Sequence, residues 1–168
     1  MLDFALELLY RGPQMTVRKM QLQDAPATDY VFASSATPTC VAILPFRRNA
    51  DREVEYLLQN VVRPSWGLGR ALASLTCGMS SRQVPVLDAL GMLEPLTERP
   101  IVADDAYPLG TCFSDPNTDT SFHMFAVDLT NQPVQLRDNL RWVLSACSSK
   151  DPLVSAMVLR LQTLHGIR

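Results

Sequence analysis

What this sequence lacks narrows its function before any motif is considered. It has no excess of basic charge: fifteen Lys and Arg against seventeen Asp and Glu leave a formal net charge of −2. Proteins that bind nucleic acid through its phosphates carry a basic footprint, so nucleic acid is not an expected partner. The short clusters Arg11, Arg18, Lys19 and Arg47, Arg48 read as solvated faces. There is no C-x-x-C pair. Cys40, Cys77, Cys112 and Cys147 stand far apart, and with only His123 and His165 as histidines a structural zinc site is not expected. The cysteines read as buried or half-buried thiols in a reducing compartment. The N-terminal stretch MLDFALELLYRG has no positive n-region and carries Asp3 and Glu7. It therefore fits neither a signal peptide nor a membrane span. A soluble, cytoplasmic protein is expected, without membrane contact, linker or internal repeat.

What is present suits one globular domain. Hydrophobic residues make up 47% and charged residues 19% of 168 residues, an ordinary balance with enough chain for a core. Leu2, Leu6 and Leu9 recur at helical spacing, which predicts a helix over 2–10, with a strand as the alternative, stopped by Gly12-Pro13. Strands are predicted at 15–22 and 29–35, then at TCVAILPF (39–46), apolar enough to be covered on both faces. RRNADRE is a turn and VEYLLQNVVR (54–63) completes a hairpin. RQVPVLDALGML (82–93) predicts a short helix with Pro85 in its first turn. LGTCF and SFHMFAVDL read as strands on either side of the loop SDPNTDT. Two helices follow, at 134–147 and 152–164, the second with Asp151 as N-cap and Pro152 at the first helical position. Strands mixed with late helices indicate an α/β or α+β sandwich.

In this order the segments resemble a Nudix hydrolase, most closely the ADP-ribose pyrophosphatase branch. AILPF and EYLLQNVVRPSW resemble that branch's central hairpin, with Gln59, Arg63 and Pro64 in its Gln, Arg and Pro positions. LTCGM resembles the start of the Nudix box, with Gly78 as its first glycine. SDPNTDTSFHMFAV resembles the family loop S-P-G-x-[ST]-[DS]-E-x-x-H-x-F, with Ser114, Thr118, Asp119, His123 and Phe125 in register. DPLVSAMVLRL resembles the final helix.

The departures fall where the chemistry would lie. The box is G-x5-E-x7-R-E-U-x-E-E-x-G-U, with U apolar, and its glutamates share a helix face to hold divalent cations that ready a water for attack on a pyrophosphate. Counted from Gly78, the first glutamate position is Val84 and the R-E-U-x-E-E core falls near Met92 to Thr97. A shift of one residue puts Gly91 and Met92 on the Arg-Glu pair and Pro95 and Leu96 on the paired glutamates. The loop glutamate is Thr120. Asp88 and Glu94 are the remaining metal candidates within the segment, and one helical carboxylate does not supply a hard cation with its oxygens. Asp88 otherwise reads as a solvent-facing helix residue, and Asp104 and Asp105 as a solvated loop. His123 reads as a core or edge histidine in an apolar strand.

The resemblance implies a Nudix-type α/β/α sandwich with a mixed sheet over 37–168. It is preceded by an N-terminal β extension, 1–36, that packs across a twofold axis into a homodimer. Arg63 would hold a phosphate by a bidentate, charge-assisted bond, and Trp66 would stack on a base or close the core. Ser114 and Asp119 complete the ligand-binding candidates, with Asp119 a cap or brace for its loop. No catalytic residue is assigned. The expectation is a module that has lost hydrolysis and acts in nucleotide binding, regulation or interaction with a protein partner, with no cofactor. The alternative is a divergent hydrolase of ADP-ribose or a related nucleoside diphosphate derivative, using Mg²⁺ or Mn²⁺ held by Asp88, Glu94, Glu98, Asp104, Asp105 or Asp119.

Overall fold

The computed structural model describes residues 4–12, 15–22, 25–35, 39–63, 68–80, 84–113 and 120–167. The chain divides into two compact units, one formed by 1–40 with 112–122, the other by 41–111 with 123–168.

The first unit holds an antiparallel meander of β1 (Phe4–Arg11), β2 (Met15–Leu22) and β3 (Ala25–Ser35). The helix predicted over 2–10 is a strand. Its residues from Phe4 to Arg11 pair in register with Leu22 to Thr16, interrupted by a bulge between Leu8 and Tyr10. An isolated helix of this length is marginal in water, and a neighbouring strand that pairs with the segment prevails over leucine spacing. The connection to β2 is closed by Gly12 N–H donating to the Met15 carbonyl at 2.8 Å. A Cβ on Gly12 would lie 2.9 Å from the Tyr10 ring, so the turn accepts no larger residue without displacing it. Leu8, Leu9, Tyr10 and Met15 remain exposed.

The second unit is built on β4 (Thr39–Arg48) and β5 (Val54–Arg63), the predicted hairpin. Residues 41 to 46 of β4 are all buried, as a strand covered on both faces must be. Phe46 pairs with Tyr56 and Arg48 with Val54. Farther along, β5 pairs with β6 (Leu68–Ala73), Gln59 facing Ala73 and Asn60 facing Leu72. Ser74 separates β6 from β7 (Leu75–Gly78), which pairs with β4. Neither β6 nor β7 stood out from the loose pattern of their sequence.

α1 (Pro85–Gly91) follows, then a one-turn 3-10 helix at Ala103–Asp105, β8 (Ala106–Phe113) and β9 (Ser121–Asp128). The predicted helix over 134–147 does not form. Four of its residues make β10 (Leu140–Val143), antiparallel to β5 with Leu140 opposite Gln59, and Ala146–Ser148 make one 3-10 turn. The free edge of β5 supplies the partners that decide this. The sheet runs β10-β5-β4-β9-β8. α2 (Pro152–His165) closes the chain, with Asp151 as N-cap and Pro152 first in the helix, as predicted, and Gly166 in the left-handed conformation as its stop.

Successive strand residues point to opposite faces, and each face has its helix. Val41, Ile43, Leu57, Leu75 and Leu140 pack with Ala89, Leu90, Leu93 and Leu96 of the α1 segment. The other face meets α2, whose Val154, Met157 and Leu161 are buried. Arg160 Nη1 donates to the carbonyls of Leu109 at 2.8 Å and Thr111 at 3.0 Å, either side of Gly110, whose φ of 80° belongs to glycine. Among the described residues no helix is long and apolar enough to cross a membrane.

Candidate functional site

The segment that falls on the degenerate Nudix box holds the strand β7 and the short helix α1. Proline starts α1 because its missing N–H is one that a first turn leaves unbonded anyway. After Gly91 the chain continues in turns, with Leu93 N–H donating to the Leu90 carbonyl and Thr97 N–H to that of Leu93. Leu90, Leu93 and Leu96 thereby keep their side chains in the core. Glu94 and Glu98 stand on the outside of this segment, exposed.

Asp88 is half-buried, not a freely solvated residue, and its Oδ2 accepts the Ser80 N–H at 2.8 Å. Cys77 Sγ lies 3.8 Å from the Asp88 carbonyl, where its S–H donates. Asp88 is thus a brace between β7 and α1. Asp104 and Asp105 are exposed on their 3-10 turn. Together with Asp128, Arg99 and Gln132 they line a depression of about 470 Å³. His123 is half-buried on β9. Among the described residues no three His, Cys, Asp or Glu side chains gather closely enough to hold a metal ion.

Of the ligand-binding candidates, Trp66, Ser114 and Asp119 lie outside the described residues. Arg63 is the last residue of β5, where its backbone pairs with Leu68 across a bulge. Thr118 also falls outside, and Thr120 is half-buried ahead of β9.

Beside the α1 segment lies a cleft of about 310 Å³ that sequence reasoning did not locate. Its apolar lining is Leu75 from β7, Met92, Pro95 and Leu96 from the turns after α1, and Leu140 from β10. Its polar lining is Gln59, Thr76, Arg137 and Asn139. The cleft wall is fastened at several points. Gln59 Nε2 donates to the Ser74 carbonyl at 3.0 Å, Gln135 N–H to the Leu96 carbonyl at 2.8 Å and Asn60 N–H to the Asn139 carbonyl at 2.6 Å. Arg137 and Asn139 had no signal in the sequence, because they come from a stretch that reads as helix and is not one. An apolar floor below a guanidinium and amides can receive a flat ring and one anionic group. At this volume it takes a fragment of nucleotide size.

No protein-family model and no curated protein matches the chain. Solved structures do. The crystal structure of an ADP compounds hydrolase superposes with a TM-score of 0.64 at 14% identity, over 96% of this chain and 92% of that one. A Nudix hydrolase from M. smegmatis, RenU, gives 0.51 at 16% identity over 88% and 94%. The fold is that of the Nudix hydrolases. A chain from the complex between the C-terminal domain of mouse MUTYH and human PCNA gives 0.59 at 14% identity, over 77% of this chain and 90% of that chain. At such identities the agreement concerns the Nudix fold, and function has to be argued from the residues of the site.

Proposed function

We propose that this chain is a Nudix-fold binding module without hydrolase activity, which takes a nucleotide-like ligand in the cleft beside α1. One observation carries the proposal. The cleft where the box segment meets the sheet is lined, among the described residues, by an arginine, amides and aliphatic side chains and by no carboxylate. The helix's one carboxylate is engaged in bracing Ser80. Arg137 takes the ligand's phosphate in this reading, and Leu75, Met92 and Leu96 take its ring. The sequence departures at Val84, Met92 to Thr97 and Thr120 agree with it.

The test combines turnover and binding. With ADP-ribose and Mg²⁺ or Mn²⁺, no nucleoside monophosphate is released, while calorimetry detects ADP-ribose or ADP binding that weakens about tenfold in Arg137→Ala, the worth of one charge-assisted contact. Metal-dependent release of AMP would overturn the proposal. The second reading, a divergent hydrolase, draws on Asp104, Asp105 and Asp128 sharing one depression. It requires turnover that vanishes in Asp104→Asn or Asp105→Asn.

The module acts in the cytoplasm as a homodimer through its N-terminal strands. Leu8, Leu9, Tyr10 and Met15, exposed on β1 and β2, support a second copy as their cover. Light scattering after size exclusion reads a dimer at micromolar concentration, and Leu9→Lys shifts it toward monomer. A wild-type monomer would refute this part.

A further inference from the structure

The same strands that line the cleft present a second, chemically different surface on the other face of the sheet. Gln59 and Leu140 line the cleft beside α1, and their immediate neighbours Asn60 and Arg141 line a depression of about 300 Å³ behind it. The register explains the pairing of surfaces. Arg141 stands opposite Leu58 and Leu72 opposite Asn60, so Leu58, Asn60, Leu72, Arg70 and Arg141 share one face of β10-β5-β6. Lys150 completes the rim from the segment between β10 and α2.

The depression thus carries Arg70, Arg141 and Lys150 and, among its described lining residues, no carboxylate. In a chain where acids outnumber bases this is a local reversal of charge. Two other cations of the unit are satisfied inside the protein: Arg47 Nε by Glu55 at 2.6 Å, Arg160 by two carbonyls. Arg70, Arg141 and Lys150 have no ion pair among the described residues. Their placement is also built. Arg70 and Arg141 project from paired strands. Lys150 is flanked by two buried residues that pin its backbone: Ser149 Oγ donates to the Leu72 carbonyl at 2.7 Å, and Asp151 accepts from both Ser74 N–H and Ser74 Oγ. The nearest carboxylate in sequence to Lys150 is therefore turned inward and occupied. Ser148, also in the lining, gives its hydroxyl proton to the Ser145 carbonyl, so the cations and the Asn60 amide remain as donors.

We infer that this depression is a second ligand site, specific for the phosphate or pyrophosphate group of a small molecule, on the sheet face opposite the cleft. Two guanidinium groups and an ammonium around one hollow repel one another, and a dianion relieves that repulsion while taking paired hydrogen bonds from the arginines. The site is independent of what the cleft beside α1 binds.

Inorganic pyrophosphate is the probe, followed by amide NMR at about 150 mM NaCl, where loosely held counterions are screened. Saturable shifts are expected at Asn60, Arg70, Arg141 and Lys150. Affinity falls about tenfold in Arg70→Gln and further in Arg70→Gln with Arg141→Gln. Lys150→Gln, at an exposed position, weakens binding by a smaller factor and guards against a double variant that fails to fold. Arg137→Ala, across the sheet, leaves the shifts at Asn60 and Arg70 in place, which separates this site from the cleft. Shifts that do not saturate, or that persist unchanged in the arginine variants, overturn the inference. Tighter binding of a short single-stranded oligonucleotide than of pyrophosphate overturns the assignment to a small molecule.

Discussion

Both helices of the second unit start with a proline, yet only α2 has a side chain over its free amides: Asp151 accepts from Leu153 N–H, whereas Val84 ahead of α1 offers nothing. The contrast extends to the ends. α2 runs for fourteen residues and stops on a left-handed glycine, while α1 lasts seven residues and dissolves into turns that keep only its leucines in place. Asp151 also joins α2 to the sheet, because its Oδ2 holds the backbone and hydroxyl of fully buried Ser74 while Gln59 holds the Ser74 carbonyl from the cleft side. The α2 side is thus fastened by polar groups with every partner present. The α1 side depends on aliphatic packing, the Asp88 brace and single bonds such as Gln135 N–H to the Leu96 carbonyl. A cleft at the less fastened helix, backed by a rigid sheet, suits ligand binding, since sites draw on the less stable parts of a fold.

The sharpest way to break this contrast is Asp151→Ala. It removes the helix cap, worth about 1 kcal/mol. It also leaves the Ser74 N–H and hydroxyl buried without an acceptor, at about 1–3 kcal/mol. A loss on the order of 3 kcal/mol is expected in urea unfolding, with the midpoint moving and the slope unchanged. Ser74→Ala in the same background should add little, because the hydroxyl has already lost its partner. Additive costs would mean that Asp151 and Ser74 do not act as a unit.

Asp88→Ala addresses the other helix and should cost less, about 0.5–1 kcal/mol, for one hydrogen bond to Ser80 at a half-buried site. The comparison matters more than the figure. If Asp88 is a brace, its loss lowers stability and leaves ADP-ribose binding within about twofold of wild type, a difference below 0.5 kcal/mol. Binding abolished with stability intact would place Asp88 at the ligand and redraw the site.

The sequence revealed most where a segment's own chemistry is decisive. The β4–β5 hairpin, the second half of β8, β9 and the cap of α2 follow from apolar runs, from turn residues and from Asp151-Pro152. It misled where a distant partner decides. Leu2, Leu6 and Leu9 have helical spacing, yet β2 pairs with the residues from Phe4 onward, with one bulge. Of the long stretch 134–147, only four residues gain an edge on β5. The site divides the same way. Gln59 lines the cleft, but the resemblance placed it only in the hairpin and not in a site. Arg137 and Asn139 were hidden in the misread stretch. The cations Arg70, Arg141 and Lys150 come from three segments that only strand register and the Ser149–Asp151 anchor bring together, and no local pattern announces that.

The smallest effect concerns Tyr56, buried on the α2 side of β5 next to Phe46. Burial raises its pKa above the ordinary 10.0, because the phenolate is the form that desolvation penalises. Below pH 10 the phenol is protonated in both folded and unfolded chains and contributes no pH dependence. Above it the unfolded chain releases the proton first and binds fewer protons than the folded one, so stability falls as pH rises toward the folded value. Tyr56→Phe removes that slope and changes stability near neutrality by less than about 0.5 kcal/mol, since the ring remains. Urea midpoints at pH 8 and above pH 10 check it: the wild type should lose more than the variant across that step. Equal losses would show that the packing at this point of the α2 face admits enough water to solvate the phenolate, and the asymmetry between the two faces would be weaker than the buried network around Ser74 implies.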